Sequence, residues 1–214
     1  MQTCDISDCS GFKLVKFLVL PFNRSIFVFS SLFDLIYYDV WGPSPVTTKG
    51  GSRYFFFIDD HTRYCWVYLM KHRFEFFKIY TTFRALVKTQ YSAIIKCSRC
   101  DFYGEYTSNK FCELLALNGT IHQTSCTYTF EQNRVAERKH RHIVETTRSL
   151  LLSTFVLSEF WEENGLTIIS LINTIISSHI SRFSPFEKLY GYAPNYSSFK
   201  VFCCTFFSYS SCRL

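Results

Sequence analysis

Apolar and aromatic residues fall in short dense runs through the first half of this chain and in a three-and-four rhythm through the second. Asp34 to Val40 and Arg53 to Ile58 are rich in aromatic and β-branched residues and read as strands. The polar turn Asp59-Asp-His-Thr-Arg63 leads into Tyr64-Cys-Trp-Val-Tyr-Leu-Met70, so these two runs predict an antiparallel hairpin. From His72 to Tyr91 the pattern becomes helical, with Phe76, Ile79, Tyr80, Phe83, Leu86 and Val87 recurring at spacings of three and four. Ile94 to Cys100 is a short strand. Ser108 to Leu117 is a short helix stopped by Asn118-Gly119, and Thr120 to Gln123 is a final strand. A basic helix from about Gln132 to Ser153 and a second from about Ser158 to Ser177 follow. The order β-β-β-α-β-α-β-α-α implies an α/β fold: a five-stranded mixed sheet flanked by helices.

Residues 1–31 show no clear periodicity, although Phe12 to Leu20 is apolar, and the chain has no internal repeat or low-complexity linker. With 214 residues, 48% of them apolar and 38 of them Phe or Tyr (24 and 14), one domain can bury a sizeable core. The run Gly165 to Ile176 is too short to span a bilayer and reads as a buried helix, so no membrane role is expected. Ten cysteines at irregular spacing, behind an amino terminus without a signal-peptide pattern, predict a reduced chain in the nucleus or cytoplasm rather than a secreted one. Cys97-Ser-Arg-Cys100 has the spacing of a redox pair but lies in a strand, so packing is the better reading; the same holds for Cys203-Cys204. The net charge of +6 is modest, but Arg134, Arg138, Lys139, Arg141 and Arg148, with His140 and His142, gather on one helix. A solvated face and a phosphate-contacting face both fit that run. Its other side offers a core stripe of Val135, Ala136, Ile143, Thr147 and Leu150.

Three carboxylates carry the candidate chemistry. Asp39 lies near the end of an aromatic strand, Asp101 follows another, and Glu137 lies early in the basic helix. Residues 102 to 136, 35 in all, separate the last two. Two acids at strand ends and one on a helix can gather hard oxygen ligands around a pair of divalent ions. Each also has a plainer reading: a strand-ending Asp39, a turn-initiating Asp101, and a Glu137 paired with Arg141 four residues on. Asp59, Asp60 and Glu105 rank lower, the first two because Asp in a turn bonds its own backbone.

Around these acids several motifs stand in fixed order: Asp39-Val-Trp-Gly-Pro-Ser-Pro45, Tyr54-Phe-Phe-Phe-Ile-Asp-Asp-His-Thr-Arg-Tyr64, Asp101 with Gly104-Glu-Tyr106, His122-Gln-Thr-Ser-Cys126, Gln132-Asn133 with Val135-Ala-Glu-Arg-Lys139, and Ser184-Pro-Phe-Glu-Lys-Leu-Tyr-Gly191. On them, residues from about Phe33 to Phe207 resemble the integrase catalytic core of copia-type LTR retrotransposon polyproteins, in the retroviral integrase superfamily. The resemblance implies an RNase H-like fold. It implies catalytic and metal-binding roles for Asp39, Asp101 and Glu137, with Asp39 bridging two Mg²⁺ (or Mn²⁺) ions and the other two each completing one. It further implies 3′-end processing and strand transfer on double-stranded DNA (element ends and target), DNA contacts from Arg134, Arg138, Lys139, Arg141 and His142, and a homo-oligomer. The implied division is a degenerate remnant of the preceding region at 1–31, the core at 32–195 and a carboxyl-terminal extension at 196–214.

The chain also departs from the family. Phe102 and Tyr103 replace Asn-Gly after the second Asp, Phe130 replaces a Pro, and Arg134 replaces a Gly. Cys4 has Ser7 and not Cys at the expected partner position, and Cys9 has the wrong spacing, so no zinc is expected. Whether catalysis persists stays open at this point. A non-catalytic nucleic-acid-binding or protein-interaction remnant and a metal-dependent endonuclease are the alternatives.

Overall fold

The computed structural model describes residues 30–42, 53–101, 106, 108–125, 133–154 and 160–199. Five strands, β1 (Leu35–Trp41), β2 (Arg53–Asp59), β3 (Cys65–Met70), β4 (Cys97–Cys100) and β5 (Ile121–Thr124), form one sheet in the order β3-β2-β1-β4-β5. β1, β2 and β3 pair antiparallel, while β4 and β5 pair parallel to β1 and to each other. The helices are α1 (Phe76–Tyr91), α2 (Asn109–Leu117), α3 (Arg134–Thr154), α4 (Trp161–Thr174) and α5 (Pro185–Tyr190). The predicted order of strands and helices is the observed one. α5 is added, and β4 is shorter than expected, since Ile94 to Lys96 lead into it without pairing as strand.

Side chains alternate across a strand, and both faces of this sheet are covered, so its central strands are apolar at nearly every position. Ile36, Tyr38, Phe55, Phe57 and Cys100 point to one layer, where they meet Tyr80, Phe83 and Val87 of α1 and Phe111 and Leu115 of α2. Leu35, Tyr37, Tyr54, Phe56, Ile58 and Cys97 point to the other, against Ala136 and Ile143 of α3 and Trp161, Ile168, Ile169 and Ile172 of α4. The aromatic run from Tyr54 to Ile58 therefore serves two cores at once. Phe57 stacks on Phe83 at 3.9 Å, nearly parallel. Cys97 and Cys100, three apart in a strand, fall on opposite faces and remain free thiols, which excludes a disulfide between them.

The hairpin turn holds the sheet to its entry segment through Asp59, which is fully buried. Its Oδ2 accepts from the Thr62 backbone N–H and hydroxyl, both at 2.8 Å, and its Oδ1 accepts from the Phe33 N–H at 2.9 Å. Phe33 has φ 62°, a left-handed conformation unfavourable for an aromatic residue, and the carboxylate bond secures it. Asp59→Ala leaves three donors unpaired in a buried turn and is expected to lower stability by about 2–4 kcal/mol, read as a lower urea midpoint.

Candidate metal and nucleic-acid site

The β1–β4 ladder runs Leu35 with Cys97, Ile36 with Ser98 and Tyr37 with Arg99, and goes no further. Past that point β1 continues only along β2, where Asp39 lies opposite Phe56. Asp101 follows the last residue of β4. The two acids thus leave adjacent parallel strands at the same end of the sheet, just beyond the last pair that joins those strands.

A third element reaches this end through Asn133, the fully buried residue that precedes α3. Its Nδ2 donates to Asp101 Oδ1 at 2.6 Å, and the Ser125 hydroxyl donates to the same oxygen at 3.3 Å. Asn133 and Glu137 are four residues apart and so share one side of the helix. The bond that docks the start of α3 on Asp101 therefore also aims Glu137 toward Asp101. Asn133 Oδ1 is buried without a hydrogen-bond partner. The anchoring role of Asn133 and Ser125 escaped the sequence reading, although both lie inside motifs that it singled out.

The Asp101 charge acts on both of the other acids. Burial above all, then the Asp101 charge, pushes the Asp39 carboxyl up to about 7; the Val40 N–H at 2.8 Å opposes this, and Glu137 adds to it. Glu137 is raised by burial and then by Asp101, with Arg141 pulling the other way. Among the described residues no three His, Cys, Asp or Glu side chains close into a ligand shell. The donor set is nonetheless all carboxylate oxygen, and its mutual repulsion is what a hard divalent cation would relieve. The residues fit such an ion in chemistry and charge.

The basic helix divides its predicted contacts between two sides. Arg134, Arg138, Arg141 and His142 are exposed. Arg134 and Arg141, three before and four after Glu137, share its side of the helix. Lys139, two after Glu137, turns away from it and is half-buried; burial above all lowers its ammonium pKa, and the nearby Arg63 charge adds to this. The expected DNA contact from Lys139 therefore does not fall on the side of the helix that carries Glu137. Ala136, Ile143 and Thr147 are buried and Val135 and Leu150 partly so, matching the expected core stripe. His140 joins that stripe instead of the basic face. Its ring packs on Trp41 at 5.5 Å and Phe56 at 6.2 Å, its Nε2 has no partner, and burial lowers it to about 4.

Phe102, Tyr103 and Glu105, the loop residues 127–132, and Cys4, Ser7, Cys9, Cys203 and Cys204 lie outside the described residues. Among the described residues no helix is long and apolar enough to cross a membrane.

No family model matches the chain. It is 34% identical over 197 residues to the "Retrovirus-related Pol polyprotein from transposon RE1" of Arabidopsis thaliana, covering 92% of this chain and 13% of that protein. It is 37% identical over 180 residues to the corresponding polyprotein from transposon TNT 1-94 of Nicotiana tabacum, covering 84% of this chain and 14% of that one. The chain thus spans about one seventh of the length of these relatives. In three dimensions it is similar to a chain of a simian T-cell lymphotropic virus intasome solved in complex with PP2A regulatory subunit B56 gamma, with TM-score 0.59, 12% identity, and coverage of 77% of this chain and 57% of that one. It is also similar to the HTLV-2 integrase catalytic core domain in complex with magnesium, a trimeric form, with TM-score 0.52, 15% identity, and coverage of 72% of this chain and 95% of that one. Sequence and architecture agree: the chain is homologous to a segment of the Pol polyproteins of copia-type retrotransposons, and its fold is the RNase H-like fold of the integrase catalytic core.

Proposed function

We propose that this chain acts in DNA integration, as a core that processes 3′ ends of retrotransposon DNA and joins them to a double-stranded target. The observation carrying this reading is geometric: two adjacent strand ends and the Asn133 bond to Asp101 gather Asp39, Asp101 and Glu137 at one end of the sheet, near enough that the Asp101 charge raises both other carboxyls. Asp39, Asp101 and Glu137 would hold two Mg²⁺ or Mn²⁺ ions. When bound, such ions activate an attacking oxygen and stabilise a leaving one. The chain's own contribution is positional: β1 and β4 fix two acids on the sheet, and Asn133 sets the angle at which α3 presents the third. Arg134, Arg138 and Arg141, exposed on α3, meet DNA phosphates as sequence-independent contacts that weaken with salt. His142 lies at the edge of that face, and Lys139, turned away from Glu137, stands outside it.

We place the core at 32–195, between a remnant at 1–31 and an extension at 196–214, in a homo-oligomer working in the nucleus or cytoplasm. The test pairs calorimetric titration of Mn²⁺ with a strand-transfer assay on blunt double-stranded oligonucleotides, comparing the chain with Asp101→Ala. Saturable Mn²⁺ binding and joined products, both lost in Asp101→Ala, are expected. Nicking without joining supports the endonuclease alternative. Absence of both, with DNA binding retained, supports the non-catalytic one; either outcome overturns the proposal.

A further inference from the structure

We infer, on the proposed reading of the three acids, that His122 is a positioning residue: through Tyr38 and Cys100 it sets the separation of the strands that carry Asp39 and Asp101. The residues it touches are the immediate predecessors of the two sheet acids. His122 Nε2 lies 3.0 Å from the Tyr38 hydroxyl and 3.4 Å from Cys100 Sγ. Tyr38 and Cys100 are both fully buried. The Tyr38 hydroxyl and the Cys100 thiol can each share a hydrogen bond with that nitrogen, which donates or accepts according to the ring's tautomer. Phe111 stands edge-on to the imidazole at 5.7 Å and limits its tilt.

The location of this contact gives it its effect. The β1–β4 ladder stops at Tyr37 and Arg99, so no pairing of that ladder fixes the strands at the next step, where Tyr38 and Cys100 sit, or at the one after, where the acids sit. The β4–β5 ladder does continue to Cys100 with Thr124, and His122 belongs to β5. A side chain from β5 thereby reaches across β4 to β1 at the level where the direct β1–β4 bonds end. Side chains alternate, so the triangle lies on the sheet face opposite Asp39 and Asp101 and touches neither. It can change only their spacing, and ligands that must share ions are sensitive to spacing.

The test compares wild type with Tyr38→Phe, His122→Phe and His122→Gln in three measurements: Mn²⁺ affinity by calorimetry, melting temperature, and the Asp39–Asp101 separation in crystal structures. Tyr38→Phe and His122→Phe are expected to weaken Mn²⁺ binding about tenfold or more and to widen the separation, whereas His122→Gln, which keeps an acceptor, stays within about threefold of wild type. Loss of melting temperature with Mn²⁺ affinity and acid separation unchanged would mean ordinary core packing and overturn the inference. If wild type itself takes no Mn²⁺, the metal reading fails separately, and the measured separation alone decides: widened in His122→Phe and restored in His122→Gln upholds the inference, unchanged overturns it.

Discussion

Glu137→Gln is expected to cut metal-dependent strand transfer on the order of a thousandfold while leaving the fold in place. Glu137 is only half-buried and lies in the first turn of α3, so removing its charge opens no cavity. The change also relieves its repulsion with Asp101, one of the causes that raise its carboxyl. Melting should therefore hold or rise slightly as joining disappears. Docking of the helix is unaffected, because Asn133 and not Glu137 makes the bond to Asp101. A neutral amide keeps the shape but withdraws one of three negative charges, and an oxygen-ligand site for two cations depends on that charge. The assay is single-turnover joining of blunt oligonucleotides, with circular dichroism melting alongside. Joining within about tenfold of wild type would remove Glu137 from the reacting centre.

The architecture was legible in the sequence because its elements carry strong and different periods. α1 shows its three-and-four spacing from Phe76 to Val87, and buried Phe76, Tyr80, Phe83 and Val87 follow it. The aromatic run of β2 reads as a strand, and its cover on both faces comes from the structure. α5 went unread as a helix although its signals were present: Ser184 caps it by accepting from the Glu187 N–H, Pro185 opens it, and Gly191 closes it at φ 78°. The candidate acids were found from spacing and motif order, which fix chain position but not direction. Direction comes from contacts between residues far apart in sequence. Asn133 holding Asp101 and His122 bridging Tyr38 and Cys100 are such contacts, 32, 84 and 22 residues apart. The basic run shows the same limit. Composition grouped Lys139 and His140 with the arginines, while the 100° turn per residue sends one to the flank and the other into the aromatic core.

In the presence of a chelator, Asp39→Asn is expected to stabilise the protein at pH 8 by about 2–3 kcal/mol, the rise of the Asp39 carboxyl from 3.8 to about 7 being discounted for partial screening by solvent. Asp39 titrates at about 7 in the fold against 3.8 ordinarily, so between those values the folded chain keeps a proton that the unfolded chain has released. Its contribution is fully present below the unfolded value and is lost as pH rises toward 7. Glu137 and Asp59, also raised, act in the same direction. His140 does the opposite: at about 4 against 6.5, it refuses a proton that the unfolded chain accepts, so stability falls as pH drops through that window. His122, also lowered, adds to the His140 side. The two slopes oppose each other between about 4 and 6.5, and single variants separate them. His140→Phe should leave a curve that falls steadily from pH 4 to 7, and Asp39→Asn one that flattens or rises over the same range, both read from urea midpoints. Added Mn²⁺ should reverse the order at pH 8, because the ion binds the carboxylate and stabilises only the chain that has it. An Asp39→Asn protein no more stable than wild type at pH 8 in chelator would mean that Asp39 is neither buried nor held against Asp101 and Glu137. The shared site would then be lost, because that crowding is the physical cost a bound cation removes.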